Sequence, residues 1–151
     1  MYLRANKYIS AYEFSGAPSK EIYQAVVKAI GAEEIASPDT PTATVDVNIG
    51  YWRKANHIHA WFVDHCGDGV DEGQEIYVSK ENLEALEAAC NEALAGKVTA
   101  ERVLPTRSGF FFGSTEYDES YKQDTIHTLK VIEAAKKAIA GGFQINYAAS
   151  W

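Results

Sequence analysis

The sequence has no apolar run close to the roughly 20 residues that a transmembrane helix needs. Its first ten residues, MYLRANKYIS, also lack the continuous apolar core of a secretion signal. Basic side chains are outnumbered by acidic ones, 14 against 21, so the net charge is −7. A chain of this charge has no overall field that attracts nucleic acid or anionic membranes. We therefore expect a cytoplasmic protein without a membrane partner, and direct binding to nucleic acid is disfavoured.

The chain has only two cysteines, Cys66 and Cys90, and each lies among apolar residues at helical spacing. They do not form a CxxC pair, and no spacing of Cys and His typical of a metal site occurs elsewhere. This pattern favours two buried, reduced thiols over a disulfide. The acidic stretch GDGVDEGQE does not have EF-hand spacing and is interpreted as a solvated turn. The sequence thus predicts neither a bound metal nor a cofactor.

The periodicity of apolar residues predicts a mixture of helices and strands. The predicted helices begin near Pro18, span 53–66, follow the cap residue Ser79 and span about 116–140. Alternating residues predict strands in 1–15, 42–50, 75–79 and 143–151, with strand-like pieces at RVLP and GFFFG. The expected fold class is α+β, with a mixed or antiparallel sheet packed against about four helices. A length of 151 residues suits one compact domain that spans 1–151.

The stretch GYWRKANHIHAWFVDHCGDG, residues 50–69, concentrates aromatic, basic and imidazole side chains on one predicted helix. At 100° per residue this helix has two faces. The first face is an apolar stripe that includes Ile58, Phe62 and His59. We therefore interpret His59 as a buried, hydrogen-bonded structural histidine. The second face carries Arg53, His57, Trp61 and Asp64.

The second face has two interpretations that the sequence leaves open. In one, Trp61 packs under another element and the charged residues merely surround it. In the other, this face lines a cleft in which Trp61, with Trp52 from the end of the preceding strand, offers an aromatic surface for stacking. Arg53 and Lys54 would then supply positive charge, and His57 a donor or a titratable group.

A second unusual stretch, LPTRSGFFFGSTEYDESY, spans residues 104–121. In a strand, Phe110 and Phe112 would point to one side and Phe111 to the other. Ser114 and Thr115 precede the predicted helix, and an ordinary cap is one interpretation. The other is that the Gly-Ser-Thr turn and the free amides of the helix start hold an anionic group, joined by Arg107. The stretch is not a P-loop, because it lacks the lysine and the glycine spacing.

With these two stretches and the final NYAASW, the sequence resembles a family of small phage- and prophage-encoded proteins. The resemblance covers about residues 49–151, whereas the N-terminal third looks particular to this chain. It implies an accessory protein of a virus or mobile element that works in the bacterial cytoplasm. Such proteins often counter host defence by binding a host protein or by holding a small signalling nucleotide.

The leading hypothesis is a non-catalytic protein that binds a small anionic, nucleotide-like ligand. The candidate ligand-binding residues are Trp52, Arg53, Lys54, Asn56, His57, Trp61, Asp64, Arg107, Phe111, Ser114, Thr115, Glu116 and Tyr117. A second hypothesis is an inhibitor that contacts a basic host protein through exposed aromatic side chains. A third is a small hydrolase or transferase that pairs His57 with Asp64 or Glu116 for acid–base chemistry. A homo-oligomer is compatible with all three.

Overall fold

The computed structural model describes residues 1–109 and 113–150. Within these residues it contains five helices and a four-stranded antiparallel sheet, which confirms the predicted α+β class. The strands are β1 (Tyr2–Ser10), β2 (Thr42–Tyr51), β3 (Ile76–Tyr77) and β4 (Gln144–Ala148). The helices are α1 (Ala17–Ala29), α2 (Asn56–Cys66), α3 (Lys80–Ala93), α4 (Lys97–Val103) and α5 (Glu119–Ala140). The predictions made for Phe110–Phe112 and Trp151 lie outside the described residues.

The strands are ordered β2-β1-β4-β3 across the sheet. β3 and β4 pair antiparallel, with Ile76 opposite Tyr147 and Tyr77 opposite Asn146. In β4 the alternation predicted from the sequence is seen directly, since Ile145 and Tyr147 are fully buried while the residues that alternate with them are not. This face of β4 therefore belongs to the core.

The described residues group into two compact units. Residues 6–46 form the N-terminal unit, and residues 1–5 with the described part of 47–151 form the main unit. In the N-terminal unit the Ser19 hydroxyl accepts from the Ser10 amide and donates to the Ser10 carbonyl, both at 3.0 Å. These bonds join the end of β1 to the first turn of α1. The single domain expected from the chain length stays a prediction.

Helix α2 lies in the core of the main unit and is buried continuously from Asn56 to Val63. Its Phe62 ring stacks on Tyr147 of β4, with 4.3 Å between ring centroids. His59 is 2% exposed, and its two ring nitrogens lie 2.7 Å from the Tyr147 hydroxyl and 3.0 Å from the Asp71 carboxylate. The prediction of a buried, hydrogen-bonded structural histidine is confirmed.

Three predictions of element bounds or type are wrong. The helix predicted over 53–66 begins at Asn56, because Lys54 has a left-handed φ of 66° and Ala55 is the N-cap residue. The helix expected from about residue 116 begins at Glu119, because the Asp118 carboxylate accepts from the Tyr121 amide at 3.1 Å and caps it there. The strand-like RVLP contains the end of α4, a short helix that the sequence did not predict. Its β-branched residues favour strands, but Ala100 and Leu104 are buried and the helix packs against α3. Tertiary packing overrides local propensity here.

Both thiols are free, as predicted, but only Cys90 is buried, whereas Cys66 is partly exposed. Burial raises the pKa of Cys66 and of Cys90 to about 12. Each thiol is therefore protonated at neutral pH and is a weak nucleophile.

Candidate functional site

The two unusual stretches of the sequence meet at the start of α2. Asn56, the first residue of that helix, is 2% exposed and its side-chain amide connects two points of the 104–118 segment. Its Oδ1 accepts from the Arg107 amide at 3.0 Å, and its Nδ2 donates to the Ser114 carbonyl at 2.9 Å. A single side chain thus fixes where residues 107 and 114 lie relative to α2.

Further hydrogen bonds join the two described arms of the 104–118 segment. The Thr106 hydroxyl donates to the Thr115 carbonyl at 2.9 Å, and the Thr106 amide donates to the Tyr117 hydroxyl at 3.1 Å. Arg107 donates from Nη2 to the Asp64 carboxylate of α2 at 2.6 Å. These contacts hold both arms of the segment against α2.

The backbone at Lys54 is strained and closely packed. Its φ is 66°, in the left-handed region that side chains other than glycine rarely adopt. Gly113 lies directly against it, since a Cβ added at Gly113 would come within 3.0 Å of the Lys54 carbonyl oxygen. A strained residue held by a close glycine contact is a common feature of binding sites.

These contacts line a cavity of about 220 Å³, which we call the major cavity because it is the larger of two cavities beside α2. Its lining residues are Arg53, Lys54, Asn56, His57, Gly113, Ser114, Glu116, Asp118, Ser120, Tyr121 and Asp124. They come from the β2–α2 connection, from the first turn of α2, from the 104–118 segment and from the first turns of α5. The cavity is therefore formed where the two unusual stretches come together.

The charges around the major cavity have both signs. Arg53 and Lys54 are basic, whereas Glu116, Asp118 and Asp124 are acidic. Asp124 is partly buried, and this burial raises the pKa of its carboxyl group. The nearby His127 lowers this pKa, and the nearby Asp118 raises it. The cavity is thus not a uniformly basic site.

His57 is a neutral, buried side chain in the wall of this cavity. It is 3% exposed, and burial lowers its pKa to about 3. The Thr125 hydroxyl donates its hydrogen to the Tyr121 carbonyl at 2.8 Å, so it accepts from His57 Nε2, which lies 3.3 Å away. In this tautomer Nδ1 is an acceptor, and no described residue donates to it. The His57 ring also packs on Tyr121, with 4.2 Å between centroids.

His57 also lines a second, minor cavity of about 80 Å³. The minor cavity is lined by His57, Ala60, Trp61, Asp64, His65, Val103, Leu104, Pro105, Thr106 and Arg107. Trp61 is 5% exposed, and its indole stacks on His65 with 4.6 Å between centroids. The predicted second face of α2 therefore divides between two cavities that share His57.

The candidate residues distribute as follows. The major cavity contains Arg53, Lys54, Asn56, His57, Ser114 and Glu116, and the minor cavity contains His57, Trp61, Asp64 and Arg107. Thr115 and Tyr117 line neither of these two cavities, and Phe111 lies outside the described residues. Trp52 is 2% exposed and donates to the Thr128 hydroxyl at 2.9 Å, so it is a core residue with no ring face open for stacking.

The anion site expected at the helix start needs correction. The N-terminus of α5 is capped by the Asp118 carboxylate, so a negative group already occupies that position. The Glu116 amide donates to the Ser114 hydroxyl at 3.0 Å, so it too is already bonded. An anion would therefore bind elsewhere in the major cavity, and Arg53 and Lys54 are its basic residues.

Sequence reasoning missed Asp118, Ser120, Tyr121 and Asp124 as site residues. One signal was available. Asp118, Tyr121 and Asp124 are spaced by three residues, which places them on neighbouring turns of one helix face. That periodicity could not say which face meets the 50–69 stretch, because the contact depends on distant residues.

We expect Asn56→Ala to lower the free energy of unfolding by about 1–3 kcal/mol, because the Arg107 amide and the Ser114 carbonyl lose their partner. Hydrogen exchange at the Arg107 amide should become faster. Asn56→Asp is the matched control, since it keeps an acceptor for Arg107 but no donor for Ser114. Equal protection of Arg107 in Asn56→Ala and in the wild type would contradict the role assigned to this side chain.

Among residues 1–109 and 113–150, no helix combines the length and apolar character needed to cross a membrane. The same residues contain no group of three or more His, Cys, Asp or Glu side chains that could hold a metal ion. Comparison of the chain with models of protein families, with curated proteins and with solved structures finds no match.

Proposed function

We propose that this protein is a non-catalytic binding protein whose major cavity holds the anionic end of a small, nucleotide-like ligand. The observation that carries the proposal is the placement of Arg53 and Lys54 at a cavity that also contains Ser114 and the neutral His57. The two basic side chains are exposed and enter no ion pair with another described residue. They are therefore available to a phosphate or carboxylate.

The cavity volume limits how much of the ligand it holds. About 220 Å³ is less than the roughly 300–1,000 Å³ of pockets for drug-sized molecules. It corresponds to the volume of about seven water molecules. The bound part of a nucleotide-like ligand is then its phosphate end, and a base would extend beyond the cavity.

The neutral state of His57 supports a binding role over acid–base chemistry. A general acid or base works best when its pKa lies near the working pH, and the His57 pKa of about 3 is far below neutrality. Asp64, one acidic partner considered for it, is instead paired with Arg107 at 2.6 Å. The imidazole ring is thus better suited to forming a hydrogen bond with a ligand than to transferring protons to or from that ligand.

The phage resemblance gives this binding activity a biological setting. We propose that the protein acts as an accessory protein in the bacterial cytoplasm and withholds a small signalling nucleotide from a host defence system. The motifs of the 50–69 and 104–121 stretches, on which the resemblance rests, supply every residue that lines the major cavity except Asp124.

Calorimetric titration with inorganic phosphate, mononucleotides and cyclic dinucleotides tests the proposal. We expect at least one nucleotide to bind, and Arg53→Gln to weaken its binding about tenfold or more through loss of a charge-assisted hydrogen bond. Arg102→Gln is the matched control, because Arg102 is 69% exposed and does not line the major cavity. Absence of heat with every ligand, or equal weakening by both variants, would exclude the proposed site.

Because the backbone at Lys54 is strained, one substitution there should raise the free energy of unfolding and lower the affinity for the ligand. Lys54→Gly should raise the free energy of unfolding by about 0.5–1 kcal/mol, since a left-handed backbone costs a side-chain-bearing residue about 1–2 kcal/mol. Ligand affinity should fall with the loss of the ammonium group. Lys54→Ala, which keeps the strain but removes the charge, should lose affinity without gaining stability. A stabilised Lys54→Gly variant with unchanged affinity would remove Lys54 from the site.

A second candidate function, contact with a host protein, is favoured by the surface of the N-terminal unit. Phe14 and Ile35 are each 85% exposed, and Ile30 is 71% exposed. Trp61 is only 5% exposed and is poorly placed for such contact. Substitution of Phe14 and Ile35 by serine should abolish partner capture if this function holds, whereas Trp61→Ala should not.

A further inference from the structure

We infer that the acidic wall of the major cavity recognises sugar hydroxyls, so that the ligand class is a phosphorylated sugar, including the ribose phosphate end of a nucleotide. This inference rests on the proposed function and deepens it. The acidic wall consists of Glu116, Asp118 and Asp124, which line the same cavity as Arg53 and Lys54.

Charge balance disfavours a ligand that carries only negative charge. The cavity has two basic side chains and three acidic ones, so an isolated anion drawn to Arg53 and Lys54 also meets three carboxylates. A ligand that presents hydrogen-bond donors to the carboxylates avoids this repulsion. The ligand therefore needs a donor-rich part next to its anionic part.

The Asp124 carboxylate in particular lacks a donor. It is partly buried, and no described residue donates a hydrogen bond to its side-chain oxygens. Asp118 uses Oδ1 to accept from the Tyr121 amide, which leaves its Oδ2 without a donor among the described residues. A carboxylate accepts hydrogen bonds but cannot donate them, so these oxygens require donors from the ligand or from water.

His57 gives an independent indication of the same chemistry. Its side chain is 97% buried (3% exposed), it lines the major cavity, and its Nδ1 is an acceptor for which no described residue supplies a donor. The acidic wall and this imidazole nitrogen thus both present hydrogen-bond acceptors to which no described residue donates. Among the described residues, Asn6 Oδ1 is the one side-chain atom that is both sealed from solvent and without a partner. His57 Nδ1 is therefore reachable from the cavity, where a bound hydroxyl can donate to it.

Adjacent hydroxyls on a sugar ring supply several hydrogen-bond donors for these acceptors. A carboxylate that accepts from a ribose 2′-hydroxyl is used in the same way in dinucleotide-binding sites. A five-carbon sugar with one phosphate is also of the size expected for a cavity of about 220 Å³. Arg53 and Lys54 would then bind the phosphate while Asp118, Asp124 and His57 accept from the sugar.

Titration calorimetry with ribose 5-phosphate, inorganic phosphate and phosphoethanolamine tests the inference. We expect ribose 5-phosphate to bind the wild type at least tenfold more tightly than the other two. Asp124→Asn should weaken ribose 5-phosphate about tenfold and leave inorganic phosphate unchanged or tighter, whereas Arg53→Gln should weaken both. Asp39→Asn, an exposed aspartate of the N-terminal unit, is the control and should change nothing.

Glu116→Gln provides a second variant of the acidic wall at an exposed position, should Asp124→Asn fail to fold. If phosphate and nucleotides bind through Arg53 but both acidic-wall variants leave ribose 5-phosphate unaffected, the inference fails and the proposed function survives. If phosphoethanolamine binds as tightly as ribose 5-phosphate, the wall recognises an ammonium group and the sugar assignment is wrong. If no nucleotide and none of the three probes binds, both proposals fail together.

Discussion

The Trp52→Ala variant is expected to lose roughly 3–5 kcal/mol of unfolding free energy, the range for removing a large aromatic ring from a core. The ring is 2% exposed and lies 6.1 Å from Phe62 of α2, centroid to centroid. Its Nε1 donates to the Thr128 hydroxyl of α5 at 2.9 Å. The residue therefore connects the end of β2 to two helices.

Chemical denaturation of Trp52→Ala beside Trp52→Phe separates packing from the hydrogen bond. Phenylalanine keeps most of the packed ring but cannot donate to Thr128, so we expect a smaller loss of about 1–3 kcal/mol. Thr128 still donates to the Asp124 carbonyl at 2.7 Å in both variants. If Trp52→Ala lowers the unfolding free energy by less than about 1 kcal/mol, the indole lies outside the core and is available for stacking on a ligand.

Acid should destabilise the wild-type protein through His57. The folded-state pKa of about 3 lies below the value of 6.5 for an unperturbed histidine. Between these two values the unfolded chain binds a proton that the folded chain does not. The stabilisation is therefore complete above pH 6.5 and is lost progressively as the pH falls towards 3. From pH 6.5 to pH 5 the loss is about 2 kcal/mol.

The measurement is a series of urea titrations between pH 7 and pH 4.5. The unfolding free energy of His57→Gln should fall less than that of the wild type as the pH is lowered. The difference between the two losses should be about 2 kcal/mol at pH 5. A wild-type slope in His57→Gln would mean that His57 is accessible to protons in the folded protein.

Sequence patterns were reliable where one local rule decided the structure. Ser79 caps α3 as predicted, and Asn82 completes a capping box with it, because both partners lie within one turn. His59 fell in the apolar stripe of α2, and burial followed from the stripe itself. The same reasoning failed for α4, where strand-favouring residues are held in a helix by the burial of Ala100 and Leu104.

The site was only partly accessible to sequence reasoning. The residue types of the 50–69 stretch indicated a cavity wall, and Arg53, Lys54 and His57 do line a cavity. Trp52 and Trp61 have similar chemistry and lie in the same stretch, yet one is in the core and the other lines the minor cavity. Their positions depend on α5 and on the 104–118 segment, which lie more than 40 residues away along the chain.

The sequence by itself determined the α+β class, the stripe of α2, the cap of α3 and the reduced cysteines, because each depends on composition or on neighbours within a few turns. Only the tertiary structure decided that Asn56 holds residues 107 and 114, and that Asp118 and Asp124 share a cavity with Arg53. Contacts between residues so far apart leave no periodic pattern, since they depend on how the helices pack. The acidic half of the cavity, and with it the inferred class of ligand, follows from that packing.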